Sequence, residues 1–267
     1  MIQLKTVSML CLASVLLWGS ACHTASYSLV SVQGGRSEIT SVYDKNPDKD
    51  ALLILAPYKA KVDSVMSPII GESEMNLVAY RPESPLSNLI ADVLRESAEI
   101  YIGRKADVGL VNVGGLRTSL AEGNVTFGNI YRILPFENTL CIVTMTGAQL
   151  RQLFENIAST GGEGISGARM VISKDRKLVD VKVDGKPIDE DRIYKVATID
   201  YLAEGNDGML AFKLSNERLQ PKGATLRQLF LDYVTALHKQ GKKVTSYKDG
   251  RITVKAEFNL QMQLNSG

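Results

Sequence analysis

Histidine is nearly absent from this chain of 267 residues, which has two, His23 and His238. Neither has a spaced partner that would complete a ligand cluster, so a dinuclear metal centre resting on imidazoles is not expected in the chain. Serines are numerous, but without a nearby base no Ser–His–acid arrangement can activate one. His238 sits in the last turn of an amphipathic segment, where a cation suits the helix dipole. Cysteine is also scarce, with three residues, too few for a disulfide framework; Cys141 lies in "NTLCIVTM", which reads as a buried strand and makes its thiol inert. Charge of one sign is not in excess, since the net value is +2, so no global field favours a polyanion and nucleic acid is not expected as a partner. The apolar stretch from Val7 to Trp18 falls short of the roughly 20 residues a membrane-spanning helix needs. Internal repeats and low-complexity tracts are lacking. "DGKPIDEDR" groups carboxylates, but its spacing suits a solvated hairpin turn better than a calcium loop.

The first residues do carry a pattern. Lys5 precedes the apolar stretch, and Gly19, Ser20 and Ala21 lead to Cys22, the layout of an export signal. It resembles a bacterial lipoprotein signal with Cys22 as the acylated first mature residue, which implies an exported periplasmic or cell-surface lipoprotein held to a membrane by its lipid. Gly19 departs from the branched aliphatic usual at that place, and ordinary cleavage with Cys22 as a spare thiol is the alternative. The expected division is a signal over 1–21, a tether and N-terminal segment over 22–45 and a domain over 46–267. About 245 residues remain after the signal, within the range of one domain and enough to bury a full core.

Strand and helix signals alternate along that domain. "DKDALLILAPYKAKVDSVMSPII" has helical spacing, with Pro57 expected to kink it or mark its first turn, and "EMNLVAY" reads as a strand. In "SPLSNLIADVLRESAEIYIG", Leu86, Leu89, Ile90, Val93 and Leu94 form one stripe between Pro85 near the start and Gly103 past the end. "DVGLVNV" is the next strand. "TFGNIYRIL" is a helix capped by Thr126, and Thr139 to Met145 a strand. Thr146 and Gln149 form a capping box ahead of Leu150, Leu153, Phe154 and Ile157. "ARMVIS", "LVDVKVDG" and "IYKVATI" alternate as strands do, and "ATLRQLFLDYVTALHKQ" closes with a helix. The fold class is α/β (α+β), a layered domain with a mixed sheet flanked by helices.

Four stretches can carry chemistry. "GLVNVGGLRTSL" breaks an apolar run at Asn112, passes Gly114 and Gly115 and meets Arg117. Two glycines after a strand most often make an ordinary turn, but glycines also let backbone donors approach an oxyanion and a guanidinium fork matches phosphate oxygens. "LPFENT" sets Phe136 next to a proline and near Asn138, "GGEGISG" is a second glycine-rich loop, and "TIDYLAEGNDGM" runs off a strand into Tyr201 and a turn containing Asp207.

In this order, these stretches resemble the C-terminal substrate-binding domain of the 5′-nucleotidase family, over roughly Glu72 to Val254. The resemblance implies that Asn112 and Arg117 contact a substrate phosphate on the Gly114–Gly115 loop. It further implies that Phe136 and Tyr201 enclose the base, that Asn138 bonds it and that Asp207 accepts the ribose hydroxyls. A basic residue ahead of "ESPLSNLIADVL" assists phosphate binding in relatives, and Arg81 matches it with a shift of register. Glu137 and Asn206 stand where the family has glycine, Asp200 where many members have asparagine, and "GGEGISG" is shorter than the family's loop; an anion at Glu137 pointing inward would repel a phosphorylated ligand.

Larger members hydrolyse phosphate esters with a separate metallophosphatase domain holding two metals, which clamp the attacking and leaving oxygens. The implied function is therefore the nucleotide-recognition domain of a split 5′-nucleotidase. It would bind a nucleoside monophosphate or related ester, with no cofactor of its own, while a separately encoded metallophosphatase supplies two divalent metals and the hydrolysis. A nucleotide- or nucleoside-capturing lipoprotein without a catalytic partner, a structural relic of the domain, and hydrolysis by this chain itself are the competing readings.

Overall fold

The computed structural model describes residues 27–215 and 217–255; the expected leader, Cys22 and His23 lie outside the described residues. By its internal contacts the chain divides into two units, one ending at Ile54 and one starting at Leu55. That boundary falls inside helix α1 (Lys49–Met66), which buries none of its residues. The Asp48 carboxylate caps its start, accepting the N–H groups of Asp50 and Ala51 at 2.9 Å each. Pro57 lies inside this helix instead of in its first turn. The helix ends at Met66, short of the expected reach to Ile70, because Pro68 bars helical geometry at Ser67, and Ile69–Ser73 forms strand β1 instead.

"EMNLVAY" is not a strand. Within it only Leu77 forms a β-bridge, exchanging backbone bonds with Leu120; the strand that follows Leu120, β3 (Gly123–Thr126), pairs antiparallel with β1. The alternation that suggested a strand is real as burial: Leu77 is enclosed, and Val78 and Tyr80 are open. Helix α2 (Pro85–Ser97) buries the whole predicted stripe, each side chain contributing about 1.5–3 kcal/mol. A short turn of helix, α3 (Glu99–Ile102), then closes on Gly103 at φ 70°.

After strand β2 (Val108–Val111) and β3, helix α4 (Phe127–Ile133) starts with a capping box between Thr126 and Asn129. Strand β4 (Leu140–Thr146) leads into helix α5 (Gly147–Ser159), capped by Thr146 and Gln149 as expected. Five strands follow: β5 (Gly164–Ser166), β6 (Ala168–Ile172), β7 (Leu178–Val183), β8 (Lys186–Pro187) and β9 (Ile193–Ile199). Asp184 and Gly185, both at positive φ, make the two-residue hairpin between β7 and β8. Helix α6 (Asp200–Ala203), strand β10 (Arg218–Leu219), helix α7 (Leu226–Lys239) and strand β11 (Ile252–Val254) complete the chain.

The central sheet has the order β10-β4-β9-β2-β5 and a second sheet the order β11-β6-β7-β8. In the central sheet β2 runs parallel to β9, and β4 runs antiparallel to β9 from Leu140↔Ile199 to Thr146↔Ile193. One end of the sheet therefore gathers, with the entry to β5 and the exit of β10, three connections that matter for a site: the exits of β2 and β9 and the entry to β4. Such an end, outside the carboxyl ends of parallel strands, is where open α/β sheets bind ligands. Cys141, enclosed on β4, has its thiol pushed up to about 11 by burial. Iodoacetamide at pH 8 should leave Cys141 unmodified in the folded protein and label it after denaturation, as read by peptide mass mapping.

Candidate ligand-binding site

The exits of β2 and β9 and the entry to β4 enclose a cavity of about 380 Å³. The exit of β2 lines it with Asn112, Gly114, Gly115 and Arg117. The entry to β4 adds Phe136 and Asn138, and the exit of β9 adds Tyr201 and Asp207. Eight of the nine ligand-contacting residues predicted from sequence thus share one wall. The ninth, Arg81, is not brought there. Its Nε donates to the Gly162 carbonyl at 2.8 Å and its terminal nitrogen pairs with the carboxylate of Glu163.

The glycine loop is a tight turn of 3₁₀ helix over Val113–Gly115. Gly115 donates to the Asn112 carbonyl at 3.1 Å, and Leu116 to the Val113 carbonyl at 3.1 Å. A Cβ on Gly115 would stand 2.8 Å from Asn112 Oδ1, whereas one on Gly114 would meet nothing within 4 Å. The first glycine therefore faces open space and the second makes room for Asn112. Arg117 is exposed. Its N–H is tied to the Ile133 carbonyl at 3.0 Å, and its Nη1 rests on the Gly114 carbonyl at 3.2 Å.

The aspartate turn is cross-linked to this loop. Asn112 Nδ2 donates to Asp207 Oδ2 at 2.6 Å, and the Tyr201 hydroxyl donates to Asp207 Oδ1 at 2.9 Å. That donation to a carboxylate holds the Tyr201 phenol above its ordinary pKa. Asp207 itself sits at φ 51°, between Gly205 at φ 86° and Gly208 at φ 79°, a left-handed conformation that favours glycine and is tolerated by aspartate. Asn206 fills the place of the family's glycine and steadies the turn, donating from Nδ2 to the Tyr201 carbonyl at 2.8 Å. Asn112 is 5% exposed, and its Oδ1 is buried without a hydrogen-bond partner among the described residues.

Phe136 and Tyr201 are 49% and 40% exposed, unlike the fully enclosed Phe154, Phe212 and Phe230. Large rings left open to a cavity are unused packing surface. Beneath the wall, Leu116, Leu134, Ile199 and Leu226 border a second space of about 10 Å³. Glu137 does not point inward. It pairs with Arg227, whose guanidinium stacks 4.7 Å over the Tyr131 ring and donates to the Leu134 carbonyl at 3.1 Å. Asp200 is a local brace: it accepts Thr139 Oγ1 at 2.7 Å and the Tyr201 N–H at 2.8 Å. The altered positions Glu137, Asp200 and Asn206 thus hold the loops together, and none of them is a lining residue.

Sequence reasoning missed Arg227 and Glu163. Arg227 had no local signal, being one more charge on a helix face. Glu163 had one: a carboxylate between glycines in a loop that enters a buried strand. It is 1% exposed, and its Oε2 accepts the Val113 N–H at 2.6 Å. Burial pushes its pKa up; the Val113 N–H and Arg81 pull it back down, and Asp207 adds to the rise.

Chemically, the wall offers a guanidinium, a glycine turn, two flat rings and one carboxylate. Asp207 is the sole carboxylate among the lining residues, and both its oxygens are engaged, by Asn112 and Tyr201. A sequence model of the 5′-nucleotidase C-terminal domain matches residues 67–214. The chain belongs to that family. Among solved structures, a 5′-nucleotidase precursor from Thermus thermophilus is similar with a TM-score of 0.68 and 29% identity, over 78% of this chain and 44% of that one. A probable 5′-nucleotidase of Treponema pallidum is 27% identical over 55% of this chain and 27% of its own length. A cell wall protein of Listeria monocytogenes is 28% identical over 81% of this chain and 31% of its own. The chain thus spans less than half the length of each of these relatives. The match to this 5′-nucleotidase C-terminal domain takes in all eight lining residues.

Proposed function

We propose that this domain recognises a nucleoside monophosphate or a related phosphate ester, and that a metallophosphatase on a separate polypeptide, with two divalent metals, hydrolyses it. The observation that carries this reading is the convergence of Arg117, Phe136, Tyr201 and Asp207 on one cavity of about 380 Å³, within the range of small-ligand sites. The Arg117 fork and the open backbone at Gly114 meet the phosphate, Phe136 and Tyr201 flank the base with Asn138 at its edge, and Asp207 accepts from the ribose. Asn112 links the two ends by holding Asp207. The ion pair between Glu137 and Arg227 supports the same reading, since it removes the anion that would repel a phosphate. We propose further that the protein is exported and lipid-anchored at Cys22, which places the site outside the cytoplasm. Family membership in 5′-nucleotidases supports the substrate class.

Reconstitution tests the division of labour. Purified protein mixed with a metallophosphatase from a neighbouring reading frame should hydrolyse AMP faster than that phosphatase alone. Equal rates would end the split-enzyme reading. AMP binding by calorimetry with no rate gain would favour a capturing lipoprotein, and absence of binding a structural relic.

A further inference from the structure

The second glycine-rich loop does not line the cavity, yet it is built with unusual closeness to the chain around it. Gly162, at φ 108°, would bring a Cβ to 2.5 Å from the Pro82 carbonyl oxygen, and Gly164 would bring one to 2.6 Å from the Ser87 carbonyl oxygen. Both glycines therefore let the loop press against the segment carrying Arg81 and the start of α2. Gly164 then pairs with Val111, the last residue of β2. This register puts Glu163 beneath the glycine turn that begins at Asn112.

We infer that Glu163 is a positioning residue for the anion loop, acting through the backbone of Val113 and the side chain of Arg81. The chemistry requires a carboxylate. One oxygen accepts the Val113 N–H at 2.6 Å and the other takes the Arg81 guanidinium, while Arg81 Nε is fixed on the Gly162 carbonyl at 2.8 Å. An ionised carboxylate is acceptor-only on both oxygens. A glutamine of the same shape must turn its NH₂ toward one of the two donors, so it can satisfy only one of them.

The consequence lies in which donors remain for a ligand. Val113 is committed inward to Glu163, and Gly115 and Leu116 are committed to the carbonyls of Asn112 and Val113. Gly114 is left as the exposed part of the turn, next to Arg117. Glu163 thus fixes the turn whose exposed residue, Gly114, lines the cavity, without being a lining residue itself. A buried ionised group with no such task would be a liability, because desolvation costs it more than an apolar residue of similar size.

The inference rests on the nucleotide-recognition reading for its ligand and is tested so that the two can fail separately. In Glu163→Gln, amide hydrogen exchange over residues 113–116 should quicken roughly tenfold, the scale of one lost hydrogen bond to a charged group. AMP affinity, by calorimetry at pH 7.5, should fall about tenfold while adenosine affinity stays within about twofold. Arg81→Lys, which keeps the charge but loses the fork across Gly162 and Glu163, should move the same readouts in the same direction and covers the case in which Glu163→Gln does not fold. Unchanged exchange over 113–116 would overturn the inference, as would AMP and adenosine weakening together with a lowered Tm, the mark of a merely structural residue. If the wild-type protein binds neither AMP nor adenosine, the nucleotide reading fails, and faster exchange in the variant still upholds the positioning role.

Discussion

Arg117→Ala should weaken AMP binding about 30-fold and leave adenosine within about twofold, on the scale of hydrogen bonds to charged groups at about 1.5–3 kcal/mol and tenfold per about 1.4 kcal/mol. The split between the two ligands identifies the phosphate as the group Arg117 meets, because adenosine keeps every other contact. Arg117 is exposed and its backbone is anchored to Ile133, so truncation should leave Tm nearly unchanged. Exposure also makes the interaction open to screening. Raising ionic strength should therefore weaken AMP in the wild type and have little effect in Arg117→Ala. Calorimetric titration of both ligands at two salt concentrations measures all of this, and equal losses for AMP and adenosine would remove Arg117 from the phosphate.

Phe136→Ala should have the opposite signature. Base stacking on an aromatic ring is worth about 1–3 kcal/mol, so AMP and adenosine should both weaken, by about 10- to 100-fold, while ribose 5-phosphate, which has no base, should be indifferent. The ring is half open to the cavity, and the loop carrying it is held by other groups: the Leu134 carbonyl by Arg227 and the Asn138 carbonyl by the Leu226 N–H at 2.8 Å. The truncated protein should therefore still fold. A large drop in Tm with ligand affinities unmoved would show Phe136 to be packing and not wall.

These two expectations come from residues legible in the sequence, and the reason they were legible is local. Strand–turn chemistry around Asn112 to Arg117, a ring beside Pro135, and a Gly-Asn-Asp-Gly turn after an apolar run each depend on a few neighbouring residues. The capping boxes at Thr126 and Thr146 and the stripe of α2 were legible for the same reason. Where local signals misled, a distant partner decided. "EMNLVAY" alternates in burial like a strand, but within it only Leu77 finds a bridge partner, the distant Leu120; the apolar residues of α1 repeat at helical spacing, yet none of them is buried. Glu137 looked like a threat to an anion until Arg227, ninety residues further on, was seen to hold it.

By itself the sequence determined the main helices and the longer strands, the stripe of α2 and the residue types of the wall, because periodicity, caps and turn residues act over a few positions. Tertiary structure decided that these pieces meet. The parallel pairing of β2 with β9, and the antiparallel return of β4 beside β9, bring three loops to one end of a sheet; strand pairing is a long-range choice made by the whole core, and no short stretch encodes it. The same holds for Glu163, whose partners Arg81 and Val113 lie 82 and 50 residues away. Its role follows from being buried under the loop it holds.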